Sequence, residues 1–420
     1  MDAILRVMNP WWEGRSFETG VRREIYLGRL AGARARRQVE ILIGSRRIGK
    51  TTLLRQVIGE ILAAGVPAHD VCYLALDHPA LEAAPVSEHL KRFRKEFLHQ
   101  RERRLFLFLD EIQDSPDWEN ELKALYDTEQ IKFYCSGSTS ALLERAGGKL
   151  TGRQITTTVY PLSFAEFLAF RGSLPTLAED YRMERLAEEY LAVGGYPEQV
   201  LSPSHEYLAS LVNDILARDL LRLHPIRKPA ALKDLLRLVA ASTGSRVSFN
   251  RLAKLLGLSL DTAKEYAGYL ESAFLVAPMD KWTSSHSERV YSKKKLYLQD
   301  TGVRTVFSGA GDEGSRAENA VFMELKRRGV AAGYWAESDR EVDFVIGAPT
   351  DPLPLEVKML DAVDLADRRL AGMRLFLRRH PETKRALVVS RSTATTLPAG
   401  DIGVEAVPLW LFLLNAERYP

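Results

Sequence analysis

Up to about Tyr160 the chain alternates short apolar runs with longer stretches in which apolar residues recur every three or four positions. VEILIG (39–44), VCYLALD (71–77), LFLFLDE (105–111) and IKFYCSGS (131–138) are strand-length, whereas LLRQVIGEILAAG and the basic HLKRFRKEFLHQRERR have helical spacing. Strands without a polar face need cover on both sides, so the pattern predicts an α/β unit with a parallel sheet between helices. From Ser163 to Leu223 the period is helical throughout (FAEFLAFR, MERLAEEYLAV, YLASLVNDILARDLLRL), broken at GGYP (194–197), and predicts a helical lid. HPIRKP (224–229) reads as a linker. Beyond it come three helical pieces, ALKDLLRLVAAST, SFNRLAKLLGL and SLDTAKEYAGYLES, and two β-like runs, AFLVAPMDKW and SKKKLYLQD. From about Gly302 the order reads helix, strand, strand, strand, helix, strand. The expected domains are therefore 1–160, 161–225, 226–300 and 301–420.

Composition changes this picture little. The 420 residues are 46% hydrophobic and 27% charged with net charge +3, so any nucleic-acid contact must come from local basic patches. The two cysteines, Cys72 and Cys135, lie inside apolar runs and read as core residues of a reducing compartment. The N-terminus lacks the pattern of a signal peptide, and no apolar run approaches a membrane span; the expectation is a cytoplasmic protein with no membrane partner.

The first candidate chemistry follows VEILI. Gly44, Ser45, Arg46, Arg47, Ile48, Gly49, Lys50 and Thr51 fit G-x-x-x-x-G-K-[ST] and stand between a strand and a helix that continues through Thr52. Glycines at these positions let backbone N–H groups curl around phosphates at a helix N-terminus. Lys50 is then expected to reach the β- and γ-phosphates and Thr51 to hold Mg²⁺. The second acid that such a site needs stands after five apolar residues: Asp110 for the metal, with Glu111 as the base that activates water. Ser138, at the end of the fourth strand, reads equally as a γ-phosphate sensor or as an ordinary helix cap. Arg153 in the following loop is the first candidate for an arginine finger, with Arg145 and Arg218 as alternatives and surface ion pairing as the plainer role.

GSRRIGKTTLL, FLFLDEIQ, YCSGSTSALL, LTGR…YPLSFAEFL and GGYPE, in this order, resemble a bacterial and archaeal branch of AAA+ ATPases close to the signal-transduction ATPases with numerous domains. The resemblance covers about residues 1–225. It implies ATP as nucleotide, a P-loop AAA+ core with a helical lid, and assembly as a homo-oligomer such as a hexameric ring or with a partner.

In the middle segment, Leu252, Leu255 and Leu256 share one face of a helix, and Ala263, Tyr266 and Leu270 one face of the next. With a helix before and a hairpin after, the order resembles a winged-helix domain. Its second helix carries Asp261, Glu265 and Glu271 against Lys264, poor equipment for a phosphate-lined groove. Arg289, Lys293, Lys294 and Lys295 in the hairpin are the candidate phosphate contacts, weighed equally against domain packing.

The last segment holds charges where aliphatic neighbours should bury them: Asp343 in EVDFVI, Glu356 and Lys358 in LPLEVKM, and Glu318 on the preceding helix. Residues two apart in a strand share a face, so Glu356 and Lys358 point the same way. Buried charges must be paired or hold a metal. One reading is a metal-dependent phosphodiesterase site, with carboxylates on Mg²⁺ or Mn²⁺ and Lys358 positioning water; the other is a structural ion-pair cluster. The order helix-Glu, strand-Asp, strand-Glu-x-Lys resembles PD-(D/E)XK nucleases and the domain of unassigned function attached to this ATPase branch. By that resemblance Glu318, Asp343 and Glu356 would be metal ligands and Lys358 catalytic, on a restriction-endonuclease-like α/β fold.

The sequence thus supports an ATP-hydrolysing protein that binds and processes DNA, with branched DNA such as Holliday junctions as a guess from enzyme type. A nucleotide switch that controls assembly with a protein partner, in signalling or defence, is the alternative. NPWW (9–12) reads either as a packing anchor or as a partner contact.

Overall fold

The structure is a computed structural model and describes residues 2–81, 84–138, 149–173, 180–309, 312–399, 402–415 and 418–419. It divides into two compact units, Met1–Val159 and Tyr160–Pro420.

The first unit is built on a parallel sheet of β1 (Val39–Ile43), β2 (Val71–Ala75), β3 (Leu105–Asp110), β4 (Ile131–Gly137) and β5 (Gln154–Thr158), in the order β2-β3-β4-β1-β5. Every residue of β1, β3 and β4 is buried, as strands without a polar face require. The edge strand β5, sequence QITTT, escaped the sequence reading because it offers almost no apolar signal; its β-branched threonines suit a strand and only one of its residues is buried. Because all five strands run the same way, their C-terminal ends line one edge, where α/β sheets place their ligands.

NPWW closes the opposite edge strand. Asn9 is fully buried; its amide donates to Leu5 O (2.8 Å) and Tyr73 O (2.9 Å), and its Oδ1 accepts from Tyr73 N (2.6 Å). The indole N–H groups of Trp11 and Trp12 both donate to Val71 O, at 3.0 and 2.8 Å. The side chains satisfy the unpaired backbone groups that a sheet edge leaves exposed. NPWW is a packing anchor.

The second unit holds the helices Phe164–Phe170, Asp180–Val193 and His205–Asp214, then Pro229–Ala241, Phe249–Leu256 and Leu260–Ser272. A three-stranded sheet follows: β6 (Arg246–Val247), β7 (Val276–Met279) and β8 (Lys294–Leu298), ordered β6-β8-β7 and antiparallel. The last sheet is mixed, in the order β13-β14-β12-β11-β10-β9. Its strands are β9 (Ala332–Glu337), β10 (Arg340–Ile346), β11 (Leu353–Val357), β12 (Arg385–Ser390), β13 (Thr395–Ala399) and β14 (Ile402–Pro408). The hairpin β13–β14 and the helix Leu409–Leu414 extend the expected order, which ended at RALVVS. Phe164, Phe167 and Tyr190 of the expected lid share one hydrophobic core with Phe322, Phe344, Leu355 and Trp410. These helices are thus cemented to the C-terminal sheet by apolar burial, a partnership that helical periodicity cannot name.

Candidate functional site

The loop after β1 folds as its residue types require. Gly44 and Gly49 have φ of 157° and 96°, and a Cβ on Gly44 would lie 2.4 Å from Val159 O. The helix Lys50–Ala63 starts immediately behind Gly49. Lys50 is buried, and its ammonium donates to Gly44 O (2.8 Å) and Ser45 O (3.0 Å), bridging the loop. Thr51 Oγ1 donates to Asp110 Oδ2 at 2.7 Å, joining the loop to the tip of β3.

Asp110 is held by hydroxyls. Besides Thr51, Tyr73 OH donates to its Oδ2 (2.7 Å) and Ser136 Oγ donates to its Oδ1. Burial, then the Asp110 charge, pushes the Tyr73 phenol well above its ordinary range, so Tyr73 stays a donor. Glu111 has φ 51°, a left-handed turn directly after the strand; its N–H donates to Ser136 Oγ (3.2 Å) and its Oε2 accepts from Gln113 (2.6 Å). Asp77, two residues beyond β2, has its pKa raised by partial burial and by the charges of Glu111 and Asp110, so three carboxylates gather at this edge. Tyr73, Asp77 and Gln113 were missed from sequence. Asp77 had a signal, an acid just past an apolar strand as at Asp110; Tyr73 inside VCYLA had none.

Ser138 is buried, and continuing the β1–β4 register from Gly137 opposite Ile43 sets it beside Gly44. Arg153 stands at the other end of the sheet, where its C=O accepts from Val39 N (2.8 Å). Its guanidinium pairs with Asp127 (3.3 Å) and lies over Tyr126; the structure does not bring it to this chain's own loop. Arg218 is exposed on the segment Ile215–Leu221, and Arg145 lies outside the described residues.

The C-terminal charges do converge. Phe344 pairs with Leu355, and the same register continued sets Asp343 opposite Glu356, at a bulge in the β10–β9 pairing between Val342 and Val345. Lys358 Nζ donates to Asp343 Oδ2 (2.8 Å) and Glu356 Oε2 (2.7 Å), and Asp343 Oδ2 also accepts from Val357 N (2.9 Å). Glu318 Oε1 accepts from Tyr297 OH (2.7 Å) and from Lys295 Nζ (2.9 Å). Lys295, expected at a phosphate, is fully buried and also contacts Glu341 Oε1 (2.6 Å). This corrects the phosphate reading of Lys295. Lys294 pairs with Asp280, and Arg289 donates to Thr283 O (3.0 Å). Burial raises the Glu318 carboxyl to about 7 and lifts Glu356 well above the carboxylate range; Lys358 and Lys295 hold Asp343 well below it against burial. Glu341 had a sequence signal, standing two residues before Asp343 on the same strand face.

Residues 36–168 match a family model described as an AAA domain. The chain carries an AAA domain. Two models described as domains of unknown function, DUF8612 and DUF4143, match residues 184–314 and 313–412. The chain is 24% identical to an uncharacterized protein of Haemophilus influenzae, over 80% of this chain and 86% of that one. It is 28% identical to an uncharacterized protein of Methanocaldococcus jannaschii, over 74% and 72% respectively. Among solved structures, the RuvB Holliday junction branch migration motor of Thermotoga maritima matches with 18% identity and a TM-score of 0.31, over 62% of this chain and 89% of that one. An Hsp104–ADP complex of S. cerevisiae matches with 20% identity and a TM-score of 0.34, over 63% and 51%. Scores this low say nothing of what this chain acts on.

The residues of the AAA domain fit a Mg²⁺–nucleotide: a glycine-opened loop with a lysine, and a hydroxyl and a carboxylate 2.7 Å apart, the hard oxygen donors Mg²⁺ takes. The C-terminal cluster does not fit a divalent ion as folded, because ammonium groups already stand among its carboxylates. Among the described residues, no group of three or more His, Cys, Asp or Glu is arranged to hold a metal. Nor, among these residues, is any helix long and apolar enough to cross a membrane.

Proposed function

We propose that this chain hydrolyses ATP at the Lys50–Thr51–Asp110–Glu111 site and uses the nucleotide state to switch its assembly, with a protein partner or with copies of itself. The arrangement Thr51–Asp110–Glu111 carries the ATPase reading. Mg²⁺ bound with ATP at Thr51 and Asp110 would supply charge neutralisation at the β- and γ-phosphates. Lys50 exchanges its loop carbonyls for phosphate oxygens, Ser138 stands on the γ-phosphate side, and Glu111 accepts the proton of the attacking water. Arg153 on a neighbouring subunit is the candidate finger, since it points to no site of its own. The C-terminal domain serves as scaffold in this reading, supported by the lysines that occupy its acidic centre.

One observation favours DNA as a second partner. Arg34, Arg36, Arg37 and Arg104 are exposed around a cleft of about 240 Å³ that Arg36, Arg37, Arg104 and Lys132 help to line, at the sheet end away from the nucleotide loop. Arg37 and Arg104 donate to backbone carbonyls of Tyr126 and Arg34, which leaves their charge available to phosphate. A DNA-processing role, on branched substrates or with a nuclease site at Glu318, Asp343, Glu356 and Lys358, belongs to this reading.

ATP turnover and sedimentation in ATP and in ADP, with and without linear and four-way-junction DNA, separate the two. The switch reading expects slow turnover, lost in Glu111→Gln, an ATP-dependent change in assembly, and indifference to DNA. Stimulation of turnover several-fold by DNA, lost in Arg37→Glu/Arg104→Glu, would replace it with the second.

A further inference from the structure

The small sheet of the second unit is covered on one face and open on part of the other. Alternation along β8 sends Lys295 and Tyr297 to Glu318 and leaves Lys294 and Leu296 on the opposite face. There Leu296 stands beside Pro278 of β7, and Lys294 beside Val247 of β6. These side chains floor a groove of about 550 Å³. One wall is the helix Leu260–Ser272, whose Lys264, Gly268 and Glu271 recur every three or four positions and so share a face. Another is the end of the short helix His286–Tyr291 with the residues up to Lys293. A Cβ on Gly268 would meet nothing within 4 Å, so the groove is open against that helix. Val290 and Tyr291 are 54% and 88% exposed along it. Two adjacent large side chains left in water beside an aliphatic floor form the kind of surface that a partner covers.

The charges around the groove set the chemistry of that partner. Lys294 is engaged by Asp280, but among the described residues neither the Lys264 nor the Lys293 ammonium meets a carboxylate. The helix Phe249–Leu256 begins in the groove at Ser248, whose side chain forms no cap, so its first-turn N–H groups add positive potential. Against these stands Glu271, about two turns along its helix from Lys264. Two free ammonium groups against one acid leave the groove positive. A nucleic-acid backbone would meet Asp261, Glu265 and Glu271 on the same helix and would leave the aliphatic floor wet. A polypeptide with an apolar side chain to bury and a carboxylate to pair satisfies both the floor and the lysines.

We propose that this groove docks a short acidic segment of a partner protein, with a branched or aromatic side chain seated against Gly268 and an Asp or Glu paired with Lys264 or Lys293. The proposal rests on the reading of assembly with a protein partner and gives that partner its chemistry. Gly268 supplies the space for the anchor, and its backbone is not in the left-handed region. A larger residue there fills the groove without straining the helix, and leucine suits a helix interior better than glycine does.

The test selects random octapeptides displayed on phage against nucleotide-free full-length protein, with Gly268→Leu as counter-target. Nucleotide-free protein keeps the result independent of ATP turnover, so the groove can fail while the ATP-driven switch stands, and the reverse. Gly268→Leu should melt no lower than wild type. The enriched peptides should combine an aromatic or branched aliphatic residue with Asp or Glu. By fluorescence anisotropy they should bind wild type at least about tenfold tighter than Gly268→Leu, and about tenfold tighter than Lys264→Glu/Lys293→Glu. The double variant changes exposed residues only, so it reads the charge pairing even if leucine disturbs the helix. No enrichment, or peptides indifferent to Gly268→Leu, would overturn the groove, and enrichment of basic peptides would overturn its acidic partner. Self-association of wild type that is lost in Gly268→Leu, read by sedimentation, would replace the partner with a second copy. Displacement of the enriched peptides by duplex DNA would assign the face to nucleic acid instead.

Discussion

The two acidic centres of this chain, one at the tip of β3 and one built on β10, β11 and the helix Glu313–Arg327, satisfy their carboxylates in opposite ways. Asp110 receives the hydroxyls of Thr51, Tyr73 and Ser136, neutral donors that fix the carboxylate and leave its charge available. Asp343 and Glu356 receive the ammonium of Lys358, and Glu318 that of Lys295, so most of their charge is already neutralised. A carboxylate held by hydroxyls keeps its charge for a further partner; one held by lysines is part of a buried ion-pair network. Sequence patterns that count acids cannot tell the two apart, because the difference lies in the type of donor that the fold delivers.

This contrast is open to direct attack. The largest effect is expected at the first centre: Asp110→Asn removes the charge and turns one of the two hydroxyl-accepting oxygens into an amide donor, and should lower ATP turnover by about 10²- to 10⁴-fold, read as phosphate release. At the second centre, removing one partner of a buried network leaves bare charge. Lys295→Met should destabilise the second unit by roughly 3–5 kcal/mol in chemical denaturation, and adding Glu318→Gln should recover part of that loss. A metal-filled centre would show no such recovery.

A smaller effect concerns Asp300, the N-cap of the helix Thr301–Ser308. Burial lifts its pKa to about 6, although Gly195 N donates to it at 2.6 Å and Val303 N at 3.2 Å. The folded state then holds a proton that the unfolded chain has released between about pH 4 and pH 6. Stability contributed by Asp300 is present below that window and is lost as pH rises through it, by up to about 3 kcal/mol. Melting curves across pH 4–7 should show this slope in wild type and a flatter one in Asp300→Asn. The smallest effect is at Tyr73→Phe, which removes one of the three hydroxyls from Asp110. It should weaken the Mg²⁺ dependence of turnover by a few-fold, on the order of 1 kcal/mol, and an unchanged Mg²⁺ titration would show that the hydroxyl shell does not tune the site.

Much of the first unit was legible because its signals are local. The two-faced apolar runs and the spacing of Gly44, Gly49, Lys50 and Thr51 point to a parallel sheet and a glycine-opened loop at a helix N-terminus through backbone sterics and helix geometry alone. Asp110 and Glu111 follow their strand directly, so their placement at the ligand-binding edge required no tertiary information. QITTT was lost because an edge strand can be polar. NPWW stayed ambiguous because its partner, the edge of β2, is some 60 residues away in sequence.

Strand alternation put Glu356 and Lys358 on one face and the nuclease resemblance added Glu318 and Asp343; of these, Lys358 does meet Asp343 and Glu356. What alternation could not supply was Lys295, whose neighbours in KKKLYLQD suggested an exposed basic hairpin. The sequence by itself determined which residues could carry charge to each centre, since period and spacing act over a few residues. Only the tertiary structure decided which charges face each other, because pairing across separate elements depends on which apolar faces bury together. That burial brought β8 against the C-terminal sheet and put an ammonium among its carboxylates.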